Sequence, residues 1–380
     1  MNHLTLRGSV IAAGLLLGTA VVSPSAHALQ AATPIACGDT AGLIQAINNL
    51  NGPGGTIQLA EDCVYAFSTS VDSTGDALPP ISGKITIKGD ESSIVRSATT
   101  PDFFRLLDVV STGDLTLHGV QVSGGNADGD GGGIRVQQGG KLTLDESAVT
   151  DNKGFDGGGI ANAGTLTLHR SNVSGNVADV GAGILNTESG TVTIGHSKIN
   201  GNQADSNGGG IVNAGSGTLT VEDSVLAHNT ARNLAGGAVF NLSKATFTDT
   251  EVSDSFAGLD GGAFYNDLKA TLDVTGGPIV QNRAGRDGGA LNNAGTATLT
   301  KVRLKDNVAG RDGGAIHNQT LAGPSTLTLH HTTVVDNTAA VNGGGILNDY
   351  GSQVTLDDSR VVHNTPNNCF PLNNIPGCQN

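Results

Sequence analysis

The chain has no tryptophan, three tyrosines and nine phenylalanines among its 380 residues. Sugar sites usually stack rings on aromatic faces, so this scarcity disfavours an ordinary glycan-binding platform. Basic residues are also few. Twenty lysines and arginines against 34 acidic residues give a formal charge of -14 and a pI near 4.9. That balance argues against nucleic acid or an anionic membrane as a partner. Cysteine is absent from the whole middle of the chain. Its four copies sit at the ends, Cys37 and Cys63, then Cys369 and Cys378. Their spacings do not match zinc-finger patterns. No stretch after the first two dozen residues is apolar enough to cross a bilayer.

The N-terminus reads as an export signal. Arg7 precedes an apolar run from Val10 to Val22, and Ala26-His27-Ala28 offers a cleavage site. The expected mature protein begins near Leu29, after a signal peptide of residues 1–28, and is secreted. An even cysteine count in an exported chain favours disulfides. Of the three connectivities, end-local pairing is expected, Cys37 with Cys63 and Cys369 with Cys378. Each bridge would pin a terminus and contribute about 2–4 kcal/mol in the loop-closure model.

What the chain has in quantity is glycine, 57 residues, and a repeat that returns about ten times. Each unit runs L-T-L, four residues, V/I/L, then x-x-N-x-A and G-G-(G/A)-I-x-N. The closing asparagine recurs at Asn162, Asn186, Asn213, Asn241, Asn266, Asn293, Asn318 and Asn348. A period of 24 to 30 residues calls for a solenoid or a propeller. The segments Leu166-Thr167-Leu168, Val192-Thr193-Ile194 and Leu327-Thr328-Leu329 alternate apolar and polar residues, as short strands with one buried face do. Each unit then holds about three short strands, one coil of a parallel β-helix. The nonapeptide calcium-binding solenoid has far too short a period, and leucine-rich repeats need more leucine.

Inward residues of such coils stack into columns. Leu142/Leu144, Leu166/Leu168, Val192/Ile194, Leu219/Val221 and Leu327/Leu329 form one. A second runs from Val149 to Val361, a third from Ile134 to Ile346. Asn152, Asn176, Asn202, Asn229, Asn282, Asn307, Asn337 and Asn364 share one turn position, from which only Ser255 departs. Stacked asparagines bond the turns above and below them. The column Ser147, Ser171, Ser197, Ser224, Thr250, Thr332 and Ser359 reads as a turn ladder, because a serine repeated in every coil is no nucleophile.

The ends differ. Thr40 to Asn49 spaces Leu43, Ile44 and Ile47 on one helical face, with Asp39 as N-cap. This helix is expected to cover the open end of the core. The expected organisation is a cap helix with irregular first coils over residues 29–112, regular coils over 113–364, and a disulfide-closed cap over 365–380. Caps are needed because bare strand edges invite aggregation.

The repeats GGAVFN, GGAFYN, GGALNN and GGAIHN resemble those of polymorphic outer-membrane proteins. The chain as a whole, with its early Cys-helix-Cys segment and Cys-ended tail, is similar to secreted bacterial right-handed parallel β-helix proteins of the pectate-lyase-like superfamily. It departs from the outer-membrane proteins in having no barrel-like segment after the repeats. The resemblance implies an extracellular surface protein. Its enzymatic relatives imply polysaccharide lyase or hydrolase activity as the alternative.

Three features invite a site. An acidic row precedes the glycine pairs: Asp130, Asp156, Asn207, Asp260, Asp287, Asp312 and Asn342. Asp260, Asp287 and Asp312 fall on consecutive coils, and carboxylates ~5 Å apart repel unless a cation or arginine lies between them. Arg286 and Arg311 directly precede two of them. Asp at this position is expected to cap a turn beside glycine, with the arginines neutralising the row; the alternative is a Ca2+ site or a catalytic set drawn from these five residues. Asp128 and Asp130 are similar to part of a calcium loop but lack its full ligand spacing. A basic cluster, Arg283, Lys301, Arg303 and Lys305 beside Arg286 and Arg311, would dock an anionic polymer, with Lys301, Arg303 and Lys305 on one strand face. An outward threonine row from Thr116 to Thr355, interrupted by Asp273, resembles an ice-binding array. Thr165, Thr191, Thr218, Thr296 and Thr326 partly double it; Lys141 and Lys244 interrupt the doubling. His118, His169, His228, His317, His330 and His363 lack metal-ligand spacing and are expected on the surface.

The evenness of the coils leaves little room for loops that wall a catalytic groove. The leading expectation is therefore a non-catalytic extracellular rod, acting in surface adhesion or binding a ligand such as an extracellular polysaccharide. A calcium-assisted lyase or a hydrolase of an acidic polysaccharide is the alternative, and ice binding a minor one.

Overall fold

The computed structural model describes residues 31–71 and 75–380. The predicted export signal lies outside the described residues. Residues 32–380 form one compact unit. Its strands pair in parallel and stack into three sheets of a β-helix. The largest, the threonine sheet, has 23 strands and carries the L-T-L segments and the short strands after them. The asparagine sheet has 11 strands, built on G-G-x-I-x-N. The alanine sheet has seven two-residue strands of the form x-A.

Register decides the coil count. Thr56, Thr86 and Thr116 pair in succession, and Thr116 leads the repeat threonines on to Thr355. That column has twelve positions, so the helix has about twelve turns rather than about ten. The strands Gly55–Leu59 and Lys84–Arg96 already lie in register although their sequences do not show the repeat. Eleven intervals at ~4.8 Å give a stack ~53 Å long.

The glycine motif has a steric origin. Gly288 sits at φ +66°, where an L side chain is strained. A Cβ added to Gly289 would lie 2.1 Å from the Gly314 carbonyl oxygen of the next coil. The third position points inward and accepts alanine, as fully buried Ala290 does. G-G-(G/A) is thus one turn geometry followed by one close approach. The core columns interlock above it. Where Phe247 replaces a leucine, its neighbour in the same strand shrinks to Ala245, and the Phe247 ring meets Phe264 edge-on at 5.0 Å. Volume is conserved within the coil.

Two asparagine ladders hold adjacent coils together. In the asparagine sheet each Nδ2 donates to the next Oδ1, from Asn162 to Asn186 at 2.7 Å through to Asn318 and Asn348 at 2.8 Å. At the other turn, Asn202 Oδ1 accepts both the Asn176 backbone N–H and its Nδ2. Asn202 Nδ2 donates to Asn229 and back to the Val173 carbonyl. Ser255 interrupts that ladder with a single hydroxyl. The serine column works alike: Ser171 Oγ accepts the Ser147 N–H and donates to the His169 carbonyl.

Both ends are closed. Helix α1, Thr40–Leu50, is capped by Asp39 accepting from the Gly42 N–H at 2.8 Å. It buries Leu43, Ala46, Ile47 and Leu50, while Ile44 is only partly covered. Disulfides join Cys37 to Cys63 and Cys369 to Cys378. In the tail, Cys369–Phe370 adds the last strand of the asparagine sheet, and Asn368 terminates the turn ladder by accepting from Asn364.

Two substitutions test this packing. Gly289→Ala is expected to lower the urea midpoint more than Ala290→Gly, since overpacking against backbone costs about 1–3 kcal/mol and an added glycine about 0.5–1. Asn202→Ala orphans buried turn groups and is expected to cost about 1–3 kcal/mol in the same assay. A wild-type midpoint for either Gly289→Ala or Asn202→Ala contradicts the close stacking.

Candidate functional site

The outer face of the asparagine sheet is where the repeat loses its uniformity. The residue between the inward isoleucine and the ladder asparagine points out of the coil. In register along the stack this column reads Ala161, Leu185, Val212, Phe240, Tyr265, Asn292, His317, Leu347 and Phe370. Before Ala161 the same register holds Asp108 and Arg135; the column is apolar from Ala161 to Val212, aromatic where Phe240 and Tyr265 stack at 5.0 Å, polar at Asn292 and His317, and apolar again at Leu347 and Phe370.

The acidic row borders this column. Asp260, Asp287 and Asp312 lie on consecutive coils, and each accepts the backbone N–H of its counterpart one coil on, at 3.1–3.3 Å. Arginines from the neighbouring coil meet them. Arg286 reaches Asp260 through both Nε, at 2.8 Å, and Nη2. Arg311 holds Asp287 in the same two-pronged way, with Nε at 2.8 Å. Each guanidinium also faces the carboxylate beside it in sequence, Arg286 to Asp287 at 3.6 Å and Arg311 to Asp312 at 3.2 Å. The result is an alternating row of three carboxylates and two guanidiniums. It supplies the countercharge that ~5 Å spacing demands.

His317 joins this row to the next turn. Its side chain is 7 % exposed, so it is not a surface histidine. Nε2 lies 3.1 Å from Asp349 Oδ1, and Nδ1 faces Asp287 Oδ2 at 3.6 Å, an electrostatic rather than a hydrogen-bonded contact. Burial opposes its charge, but the two carboxylates outweigh that and push its pKa up to about 9. Burial likewise opposes ionisation of Asp287 and Asp349, yet the cations around them hold both below the usual carboxylate range. Asn292, fully buried between Tyr265 and His317, meets no hydrogen-bond partner with either amide atom among the described residues.

The other nominated residues lie apart from this row. Arg283 is exposed on the alanine sheet. Arg303 and Lys305 share an outer face of the threonine sheet, and Lys305 pairs with Asp306 at 2.9 Å. Lys301 sits in the preceding turn at φ +56°, outside that strand. Asp128 and Asp130 lie in a turn whose Asp130 carbonyl accepts from Arg105. Among the described residues no three acidic, histidine or cysteine side chains converge as a metal site. The threonine row is continuous except at Asp273, with Thr56 and Thr86 added.

Some charge clusters had no signal in the sequence. Arg105, 5 % exposed, is buried against Asp76 at 2.7 Å, and Arg135 holds Asp108 through two bonds of 2.8 Å. His118 and His169 from neighbouring coils both bond Asp145 at 2.9 Å. Each pairing joins residues 24 to 29 apart, one coil, and becomes visible only when the register is known.

Two measurements follow from this network. The His317 contribution to stability is full below its unfolded value of 6.5 and is lost as pH rises through about 9. The melting temperature should therefore fall over that interval, and His317→Gln should flatten the fall; an unchanged slope rules out a charged His317. Asn292→Leu, which copies Leu185 and Leu347, removes two orphaned polar atoms and is expected to raise stability by about 1–3 kcal/mol. A lower melting temperature would show that the amide has a partner, such as a buried water.

No protein-family model matches this chain, and no curated protein or solved structure is detectably similar to it. The family resemblance thus rests on features of the sequence alone, and what stands is the parallel β-helix itself.

Proposed function

We propose that this protein is a non-catalytic extracellular β-helix rod that binds a ligand through its surface. The observation that carries this reading is the mutual neutralisation of the groups nominated for chemistry. A lyase needs a base with a free lone pair near neutral pH. Arg286 and Arg311 are committed to carboxylates, and His317 is protonated between two of them. A glycosidase needs one carboxyl that stays protonated as acid. Asp287 and Asp349 are instead held ionised. Two disulfides, with the export signal expected at the N-terminus, support an oxidising, extracellular setting.

The discriminating experiment incubates mature protein with polyuronates and glycosaminoglycans, with and without calcium. Ultraviolet absorbance reports unsaturated lyase products, and reducing-end assays report hydrolysis. No turnover is expected. Turnover that Asp287→Ala or Arg286→Ala abolishes would replace the rod reading by the enzymatic one.

The threonine row favours ice binding as a second reading, because eleven of its twelve register positions are threonine and one is Asp273. Its companion row is broken by Lys84, Asp114, Lys141, Lys244 and Gln353. Thermal hysteresis measured on the purified protein decides it, and its absence removes this reading.

A further inference from the structure

We propose that the cleft at the C-terminal end of the asparagine sheet is a binding subsite for a neutral pyranose unit of a glycan. The inference rests on the ligand-binding reading above and gives it a place and a ligand class.

The chain has twelve phenylalanines and tyrosines, nine plus three. Four of them, Phe240, Tyr265, Tyr350 and Phe370, lie on or beside one face, toward one end of the stack. Tyr350 and Phe370 border a cleft of about 390 Å³, at the small end of the ~300–1,000 Å³ typical of ligand pockets. Tyr350 is 96 % exposed. A large aromatic left this open in so aromatic-poor a chain has no packing role. Its backbone is nonetheless held, because the Tyr350 carbonyl accepts from Thr320 Oγ1 at 3.2 Å. The ring is therefore presented from an anchored turn, which lowers the ordering cost of binding.

Planar polar groups, Arg311, Gln319, Asn342 and Asp349, line the same cleft. Asp349 is fixed by His317 Nε2 on one oxygen and by the Thr320 N–H at 3.0 Å on the other, and each oxygen keeps a lone pair for a hydroxyl. Arg311 grips Asp287 with Nε and Nη2, which leaves Nη1 free to donate. Aromatic rings sharing a cleft with fixed carboxylate, amide and guanidinium groups fit a pyranose, whose C–H face is apolar and whose rim is hydroxylated. Charge sets the class of sugar. Among the lining residues Asp312 and Asp349 stand against Arg311 and protonated His317, two negative charges against two positive, so the cleft offers no net positive charge to hold a uronate or sulfated unit.

The test screens mature protein against immobilised neutral gluco-, manno- and xylo-hexasaccharides, with hexagalacturonate and oligolysine alongside. At least one neutral series is expected to bind and the uronate not to. Tyr350→Ala should weaken that binding at least about ten-fold, as expected for loss of one stacking platform worth ~1.4 kcal/mol. The melting temperature should not change, because the side chain is exposed. Equal binding by Tyr350→Ala overturns the subsite while leaving a glycan-binding rod elsewhere on the surface. Preference for hexagalacturonate or oligolysine, or no binding to any neutral series, also overturns it. Turnover of any probe would instead overturn the non-catalytic reading.

Discussion

The structure depends on in-register stacking of successive coils at the spacing of a parallel sheet. Every other feature is a response to that repeat distance. A residue type that can meet a copy of itself ~4.8 Å away may occupy a column, and one that cannot must be replaced or compensated. Asparagine is suited to it because its amide donates at one end and accepts at the other. The chain from Asn162 to Asn348 therefore closes without an orphan inside it. Glycine meets the same constraint sterically where backbone approaches backbone.

Charge is the case that cannot stack alone. Three aspartates one coil apart would destabilise one another. The alternation with Arg286 and Arg311 turns a repulsive column into a neutralised one, and His317 extends it to Asp349. The same solution recurs at Asp108 with Arg135, and at Asp145 between His118 and His169. Residues that look reactive in isolation are thus mostly countercharges. Saturation of the row is also why the enzymatic reading recedes.

Much of the fold was legible from the sequence, because a column is a periodic signal. The Ile and Asn columns, the capping helix and the end-local disulfides could all be read from spacing and composition. The irregular first coils are expected from the sequence, but their register is not: the strands Gly55–Leu59 and Lys84–Arg96 keep the threonine column without keeping the motif. The basic cluster illustrates the opposite error. Arg283, Lys301, Arg303 and Lys305 are close in sequence, but a coil turns through three sheets within that span, which leaves only Arg303 and Lys305 on a common face.

The sequence by itself determined the architecture: a β-helix, its period, its inward columns and its asparagine ladders. Those properties follow from local repetition, and repetition survives without knowledge of which coil touches which. Only the tertiary structure decided the state of the charged residues. Whether Asp287 is free or clamped, whether His317 is exposed or buried and protonated, and which aromatics share a cleft depend on contacts between residues about one coil apart. The exact offset varies from 24 to 30 residues between coils, so the partner of a given side chain is set by the register and not by any motif.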